Sequence, residues 1–216
     1  QNAYNLTVSY GYNAAGRLIS TTDTVGRTDW TCYDATGRVV KTIQNGGSTN
    51  PCGVTGGVSP SLFKLASYTP GASKAVDAGL VNQTRYDANG NVIAVIAPDG
   101  KVTRTYYDNL NRPTIVVRNF VGDINLNTPP AFDAARPDEN VRSTTEYDAN
   151  GNVVKTTDNA GRVNTNCYDA LNRVVKSIQN PTPTDPCPDY TPSGDADKDL
   201  IQKTVYDSVG NVIAVI

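Results

Sequence analysis

The stretch "YDANGNV", Tyr86–Val92, decides how the rest of the chain is read. It returns unchanged at Tyr147–Val153 and in variant form throughout the sequence. The variants are "YNAAGRL" from Tyr12, "YDATGRV" from Tyr33, "YDNLNRP" from Tyr107, "YDALNRV" from Tyr168 and "YDSVGNV" from Tyr206. Tyr12 and Tyr33, Tyr86 and Tyr107, and Tyr147 and Tyr168 form pairs 21 residues apart. Between the members of each pair lies a second turn-like segment: "DTVGR" from Asp23, "APDGK" from Ala97 and "DNAGR" from Asp158. Self-similarity at this spacing marks a repeat architecture built from one small unit.

The chemistry of the unit is that of a turn. An aspartate at its head (Asp34, Asp87, Asp108, Asp148, Asp169, Asp207) accepts backbone hydrogen bonds from residues just beyond it. Three places on, the chain needs a positive φ, which glycine supplies at Gly90, Gly151 and Gly210 without a Cβ penalty. At Asn111 and Asn172 the substitute is asparagine, a side chain that tolerates the left-handed region. Asn13 replaces aspartate in the first copy and can make the same bond. Turns thus recur about every ten residues, and β-branched segments such as "RVVKTIQ", "NVIAVIA" and "RPTIVVR" read as strands between them. The expected fold is all-β, a meander of stacked antiparallel hairpins, each closed through a bulge. One weak helical candidate lies near "SLFKLA" at Ser61. The tyrosine at a fixed place in each copy predicts a ladder of ring on ring across neighbouring strands, each pair contributing about 0.2 to 1 kcal/mol.

This grammar resembles the YD repeats of RHS-repeat proteins. That family takes in bacterial polymorphic toxins, the shell components of insecticidal toxin complexes, wall-associated proteins of Gram-positive bacteria and the animal teneurins. The resemblance implies hairpins that coil into a spiral sheet or solenoid, or into part of a hollow shell. In toxin members the shell encloses a toxic domain released by self-cleavage. Neither the cleavage segment nor such a domain is found in these 216 residues, so those roles attach to no residue here.

A longer period overlies the short one. Cys32 and Cys52 recur as Cys167 and Cys187, both displaced by 135 residues, while "GNVIAVI" at Gly90–Ile96 recurs at Gly210–Ile216, displaced by 120. The chain reads as one continuous array over 1–216, in units of type A at about 7–80, B at 81–141, A at 142–200 and a truncated B at 201–216. The duplicated cysteine spacing points to two equivalent disulfides, Cys32 with Cys52 and Cys167 with Cys187. Each would stabilise by about 3 kcal/mol on the loop-entropy account. Free thiols in a reducing compartment and a four-cysteine metal site are the alternatives. Bridges would imply an extracellular or cell-surface setting.

The three insertions, about Gly46 to Leu80, Phe120 to Val141 and Pro181 to Leu200, are rich in Gly, Pro, Ser and Asp and read as loops over a sheet. In the last, Asp195, Asp197 and Asp199 alternate, a pattern that suggests calcium but lacks the glycine and distal glutamate of an EF-hand. A solvated acidic loop is the plainer reading. Asn5 and Asn82 head sequons that matter only in a glycosylating host.

Composition narrows the function. With 19 basic and 21 acidic residues the net charge is −2, too balanced for a nucleic-acid partner, and no apolar run approaches the length of a membrane span. Histidine is absent, which removes the commonest general base and metal ligand. We therefore expect a non-enzymatic structural protein with no cofactor or catalytic residue, serving as an extracellular scaffold or filament. The alternatives are a wall segment of a toxin-enclosing shell, and a module binding surface glycans through exposed Tyr and Asn side chains. Expected partners are a continuation of the array or identical copies end to end, with a surface glycan or an enclosed toxin domain as further possibilities. "GNVIAVI", apolar on both faces, is expected to be a strand covered on both sides. Its recurrence at Ile216 suggests an edge awaiting the next unit.

Overall fold

The computed structural model describes residues 7–52, 79–125 and 127–216. The helical candidate at Ser61 and the sequon at Asn5 lie outside them. Two compact units divide the chain, Gln1–Arg104 and Thr105–Ile216.

The first unit holds β1 (Ser9–Tyr12), β2 (Leu18–Thr22), β3 (Thr28–Tyr33), β4 (Val39–Gln44), β5 (Leu80–Tyr86), β6 (Val92–Ile96) and the start of β7 (Val102–Tyr107). The second holds the rest of β7 with β8 (Pro113–Arg118), β9 (Val141–Tyr147), β10 (Val153–Thr157), β11 (Val163–Tyr168), β12 (Val174–Gln179), β13 (Leu200–Tyr206) and β14 (Val212–Val215). Strand order in the sheet is the order in the chain. The fold is all-β and antiparallel, and no helix occurs among the described residues.

Each five-residue turn pairs residues six apart. Tyr33 stands opposite Val39, Tyr86 opposite Val92 and Tyr206 opposite Val212, and in these three hairpins the register shifts at the residue before the tyrosine. The bulge expected from the turn chemistry therefore falls beside the repeat tyrosine. The second turns keep an even register, Thr22 opposite Thr28 and Thr157 opposite Val163.

Side chains of paired residues share a face, and alternate residues along a strand return to it. On one face Thr28, Trp30 and Cys32 are buried on β3, with Ile43 opposite Trp30 on β4. In the second unit Thr165 and Cys167 are buried on β11, opposite Ile178 and Lys176. The other face is lined by short polar side chains: Thr31, Thr42 and Asn82 stand in one row of the first unit, and Thr145, Thr156 and Asn164 in one row of the second.

Burial corrects one expectation. On β6 only Ala94, at 1%, is buried, while Val95 is 38% exposed. "VIAVI" is thus not covered on both sides. Among the described residues the other side chains of β6 are half-buried.

The long connections leave the sheet through a common neck. Gln44 pairs with Leu80, Arg118 with Val141 and Gln179 with Leu200, so the insertions run over 45–79, 119–140 and 180–199. Each opens on an asparagine with positive φ, Asn45 at 50°, Asn119 at 48° and Asn180 at 48°. Each closes on a residue in the same region, Gly79 at 70°, Asn140 at 51° and Asp199 at 52°. The closing N–H donates to the opening carbonyl at 3.0, 3.0 and 3.1 Å respectively. Two left-handed residues bonded in this way do the work of a two-residue hairpin turn, whatever length of chain lies between them.

Candidate functional site

The repeated element is a carboxylate-centred turn. In the copy at Asp34, the backbone N–H donates to the Arg38 carbonyl (2.9 Å) and Gly37 N–H donates to the Asp34 carbonyl (3.0 Å). Oδ1 of Asp34 accepts from the N–H groups of Thr36 and Arg38 at 3.0 and 2.9 Å. Oδ2 accepts from Arg38 Nε at 2.7 Å. Two second turns use the same plan, at Asp23 with Val25 and Arg27 and at Asp158 with Ala160 and Arg162, whereas the turn headed by Ala97 has no carboxylate at that place. In the first copy Asn13 Oδ1 accepts from Ala15 and Arg17, both at 3.0 Å. The φ of the residue three places after the turn's first residue is positive throughout, from 58° at Asn172 to 96° at Gly210.

These carboxyls are held ionised. For Asp34, burial favours the neutral acid, but the Arg38 N–H, the Thr36 hydroxyl and the Arg38 guanidinium outweigh it and hold the group well below the usual carboxylate range. Asp108 and Asp169 are lowered chiefly by the backbone N–H of Arg112 and Arg173. Asp148 and Asp207 are lowered first by the amides of Asn152 and Asn211. A general acid near neutral pH needs the opposite shift; these groups are turn caps.

The fifth turn residue, arginine in some copies and asparagine in others, decides how a turn reaches its neighbour: arginine lies over a neighbouring ring, whereas Asn152 Nδ2 donates to Asn172 Oδ1 at 2.8 Å. Arg38 lies over the Tyr86 ring at 4.5 Å, and its Nη1 donates to the Asp87 carbonyl at 3.3 Å. Arg112 does the same to Tyr147 and Asp148, at 4.5 and 3.3 Å. Arg173 covers Tyr206 at 4.4 Å, and Arg17 lies 5.8 Å from the Tyr33 ring. Each tyrosine hydroxyl completes the link by donating to the carbonyl just after the fifth turn residue: Tyr33 to Leu18, Tyr86 to Val39, Tyr147 to Pro113 and Tyr206 to Val174, at 2.9 to 3.0 Å. Where the fifth residue is Asn152, Tyr168 keeps the hydroxyl bond, to Val153 at 2.9 Å, while the amide turns inward to the Asp148 carboxylate at 2.8 Å. The ring-on-ring ladder is thus replaced at these rings by cation on ring. The rings and hydroxyls of these tyrosines are engaged within the sheet. The sequence shows arginine or asparagine at this place but not the contact, since Asn91 and Asn152 also precede a Tyr-Asp by one hairpin.

The cysteines join Cys32 to Cys52 and Cys167 to Cys187, with Cα separations of 5.2 and 5.5 Å. Both bridges tie an insertion to the buried face. In the first unit the Trp30 indole N–H also donates to the Gly47 carbonyl at 2.8 Å. In the second, buried Lys176 donates to three successive carbonyls, Pro186, Cys187 and Pro188, at 3.2, 2.7 and 3.2 Å. Asp199 is 5% exposed, not the solvated acid expected. Its carboxylate accepts from Thr182 N–H (2.7 Å), Tyr190 hydroxyl (2.9 Å) and Ser193 N–H (2.9 Å). Asp195 instead accepts from Asp197 N–H and pairs with Lys198 at 3.4 Å, so the three aspartates do not converge. Among the described residues no group of His, Cys, Asp and Glu is arranged to hold a metal ion.

The sheet of bulged hairpins with capped turns is similar in fold to solved RHS-repeat toxin structures. The RHS repeat pattern matches residues 12–49 and 86–122. Solved structures of the same fold include the Tc holotoxin pore of Photorhabdus luminescens carrying a TccC3 mutation, at 14% identity and a TM-score of 0.58 over 97% of this chain. The TcdB2–TccC3 complex matches at 15% identity and 0.58 over 97%, and its TEV-containing form at 13% and 0.54 over 98%. The chain spans 9% of the length of each of these three. No curated protein matches it.

Proposed function

We propose that this chain is a length of wall in a larger RHS structure, a non-catalytic shell that encloses a second polypeptide. Its likeness in fold to the Tc shells carries the reading. The Arg–Tyr links support it, because each fastens one hairpin to a later one. A wall needs this kind of cohesion between neighbours and no reactive group. In this reading the array is continuous and follows the alternating A and B units, and the chain works outside the cytoplasm, where its two disulfides persist. An open surface scaffold or filament is the second reading, favoured by the regular alternation of units, since a filament needs only sameness.

Electron microscopy of the full-length natural product, with limited proteolysis, separates these. A closed hollow particle with a protease-protected internal segment is expected. Long fibres without a protected segment would establish the scaffold reading. Compact particles without a cavity or fibre would overturn both.

A further inference from the structure

A cleft of about 410 Å³ opens in the second unit where β8 ends and β9 begins. Arg118 and Val141, paired across those strands, form one wall with Ser143. Phe132 of the second insertion faces the same space, as do Asp158, Asn159 and Ala160 of the turn after β10. Two bonds fix the frame. Asn159 Oδ1 accepts from the Arg142 N–H at 3.0 Å, which ties the turn to β9. The Asn140 N–H donates to the Asn119 carbonyl at 3.0 Å, which closes the neck beside Arg118.

Arg118 is the unusual member of this lining. Arg27, Arg38, Arg112, Arg136, Arg162 and Arg173 each pair with a nearby carboxylate. The exposed Arg118 guanidinium makes no ion pair, hydrogen bond or ring contact among the described residues. The carboxylate in the lining is already committed: Asp158 Oδ1 accepts from the N–H groups of Ala160 and Arg162, and Oδ2 faces Arg162 Nε at 3.6 Å. Phe132 is 39% exposed, so part of its ring is open to a ligand. The equivalent turn at Asp23 is capped in the same way. Among the described residues, the cleft beside it contains no aromatic side chain and no arginine but the turn's own Arg27. Arg118 and Phe132 are therefore not required to hold such a turn.

A cation without a counter-charge, set beside an exposed ring and the aliphatic side chains of Val141 and Ala160, is complementary to an anion with an apolar body. A carboxylate matches the planar guanidinium through two parallel N–H···O bonds. The Ser143 hydroxyl and the Asn159 amide, whose oxygen is bonded to Arg142, add neutral donors to the same lining. A phenyl group stacks on or against Phe132 at ring-centre distances of about 4.5 to 7 Å. The volume lies in the range of about 300 to 1,000 Å³ usual for small-ligand sites. We infer that this cleft binds a small aromatic carboxylic acid, with the carboxylate on Arg118 and the ring against Phe132.

Titration of the intact chain with 3-phenylpropionate, followed by ligand-observed NMR and calorimetry, tests this. The controls are 3-phenylpropionamide, which keeps the ring without the charge, and acetate and inorganic phosphate, which keep the charge without the ring. The aryl acid is expected to bind at a single site in the millimolar range or tighter, at least about tenfold more tightly than any control. Arg118→Gln should weaken binding about tenfold and Phe132→Ala about fivefold. Both side chains are exposed, so circular dichroism and the unfolding midpoint should stay unchanged. Arg27→Gln, at the equivalent turn of the first unit, should leave binding as it is. No binding of 3-phenylpropionate at about 10 mM, equal binding of the amide, of acetate or of phosphate, or binding unmoved by Arg118→Gln and Phe132→Ala would each overturn the inference. None of these outcomes bears on the shell reading.

Discussion

Asn111 and Asn172 stand where five other copies carry glycine, and their φ values of 60° and 58° show why asparagine is accepted. Replacing Asn111 by alanine should cost about 1 kcal/mol, the penalty for a Cβ in the left-handed region, while Asn111→Gly should leave the urea midpoint nearly unchanged. Arg112 offers a second contrast, because the chain contains its own control. Asn152 fills the same place with the inward bond to its turn aspartate and without a guanidinium to cover the next ring. Arg112→Asn should keep the turn and lose the cover on Tyr147, at about 1 kcal/mol. Chemical denaturation measures this; an unchanged midpoint would show the link contributes nothing. At this scale the sequence was legible wherever a bond is local. The caps follow from spacing alone, whereas the Arg–Tyr contact joins residues 35 apart in Arg112 and Tyr147 and 48 apart in Arg38 and Tyr86. No local pattern announces such a pair.

Among the elements, the strands were readable because β-branched residues alternate with turn residues on a short period, and the bulges because the turn length fixes them. The insertions were not. Their composition says loop, but the last one is organised largely by two single charged residues, Lys176 and Asp199, whose partners include backbone carbonyls and N–H groups. Lys176 looks in sequence like any strand lysine, and Asp199 like one acid in an acidic run. Asp199 makes a measurable prediction through Tyr190, whose phenol is pushed up to about 12, first by burial and then by its bond to the carboxylate. Because the folded value lies above the ordinary 10.0, the stabilisation from this group is complete below pH 10 and fades as pH rises towards the folded value. Ultraviolet titration of Asp199→Asn should show the tyrosine ionising closer to its ordinary value, and a curve that matches the parent would refute the coupling.

For the molecule as a whole, the repeated carboxylate dominates the response to acid. Asp34, Asp87, Asp108, Asp148, Asp169 and Asp207 have folded values below the ordinary 3.8, so their contribution is full above that pH and is lost as pH falls through the lower folded values. Thermal unfolding followed from pH 7 to pH 2 should stay level in the upper part of the range and drop below about pH 4. A midpoint that falls steadily from neutrality would point to other groups. The exposure of Val95 escaped the sequence, because "VIAVI" has the composition of a doubly covered strand and only its neighbours decide whether a cover exists. The necks were equally hidden, since Asn45, Asn119 and Asn180 differ from other loop asparagines only in what closes against them. Replacing residues 120–139 by a short Gly-Ser linker, with Asn119 and Asn140 retained, should leave the β-sheet circular dichroism intact; loss of that signal would show that the loop supports the sheet. The three necks act as standard sockets. The chain between the two left-handed residues can change in length without moving the strands on either side, provided that the first and third insertions keep the cysteine that meets Cys32 or Cys167.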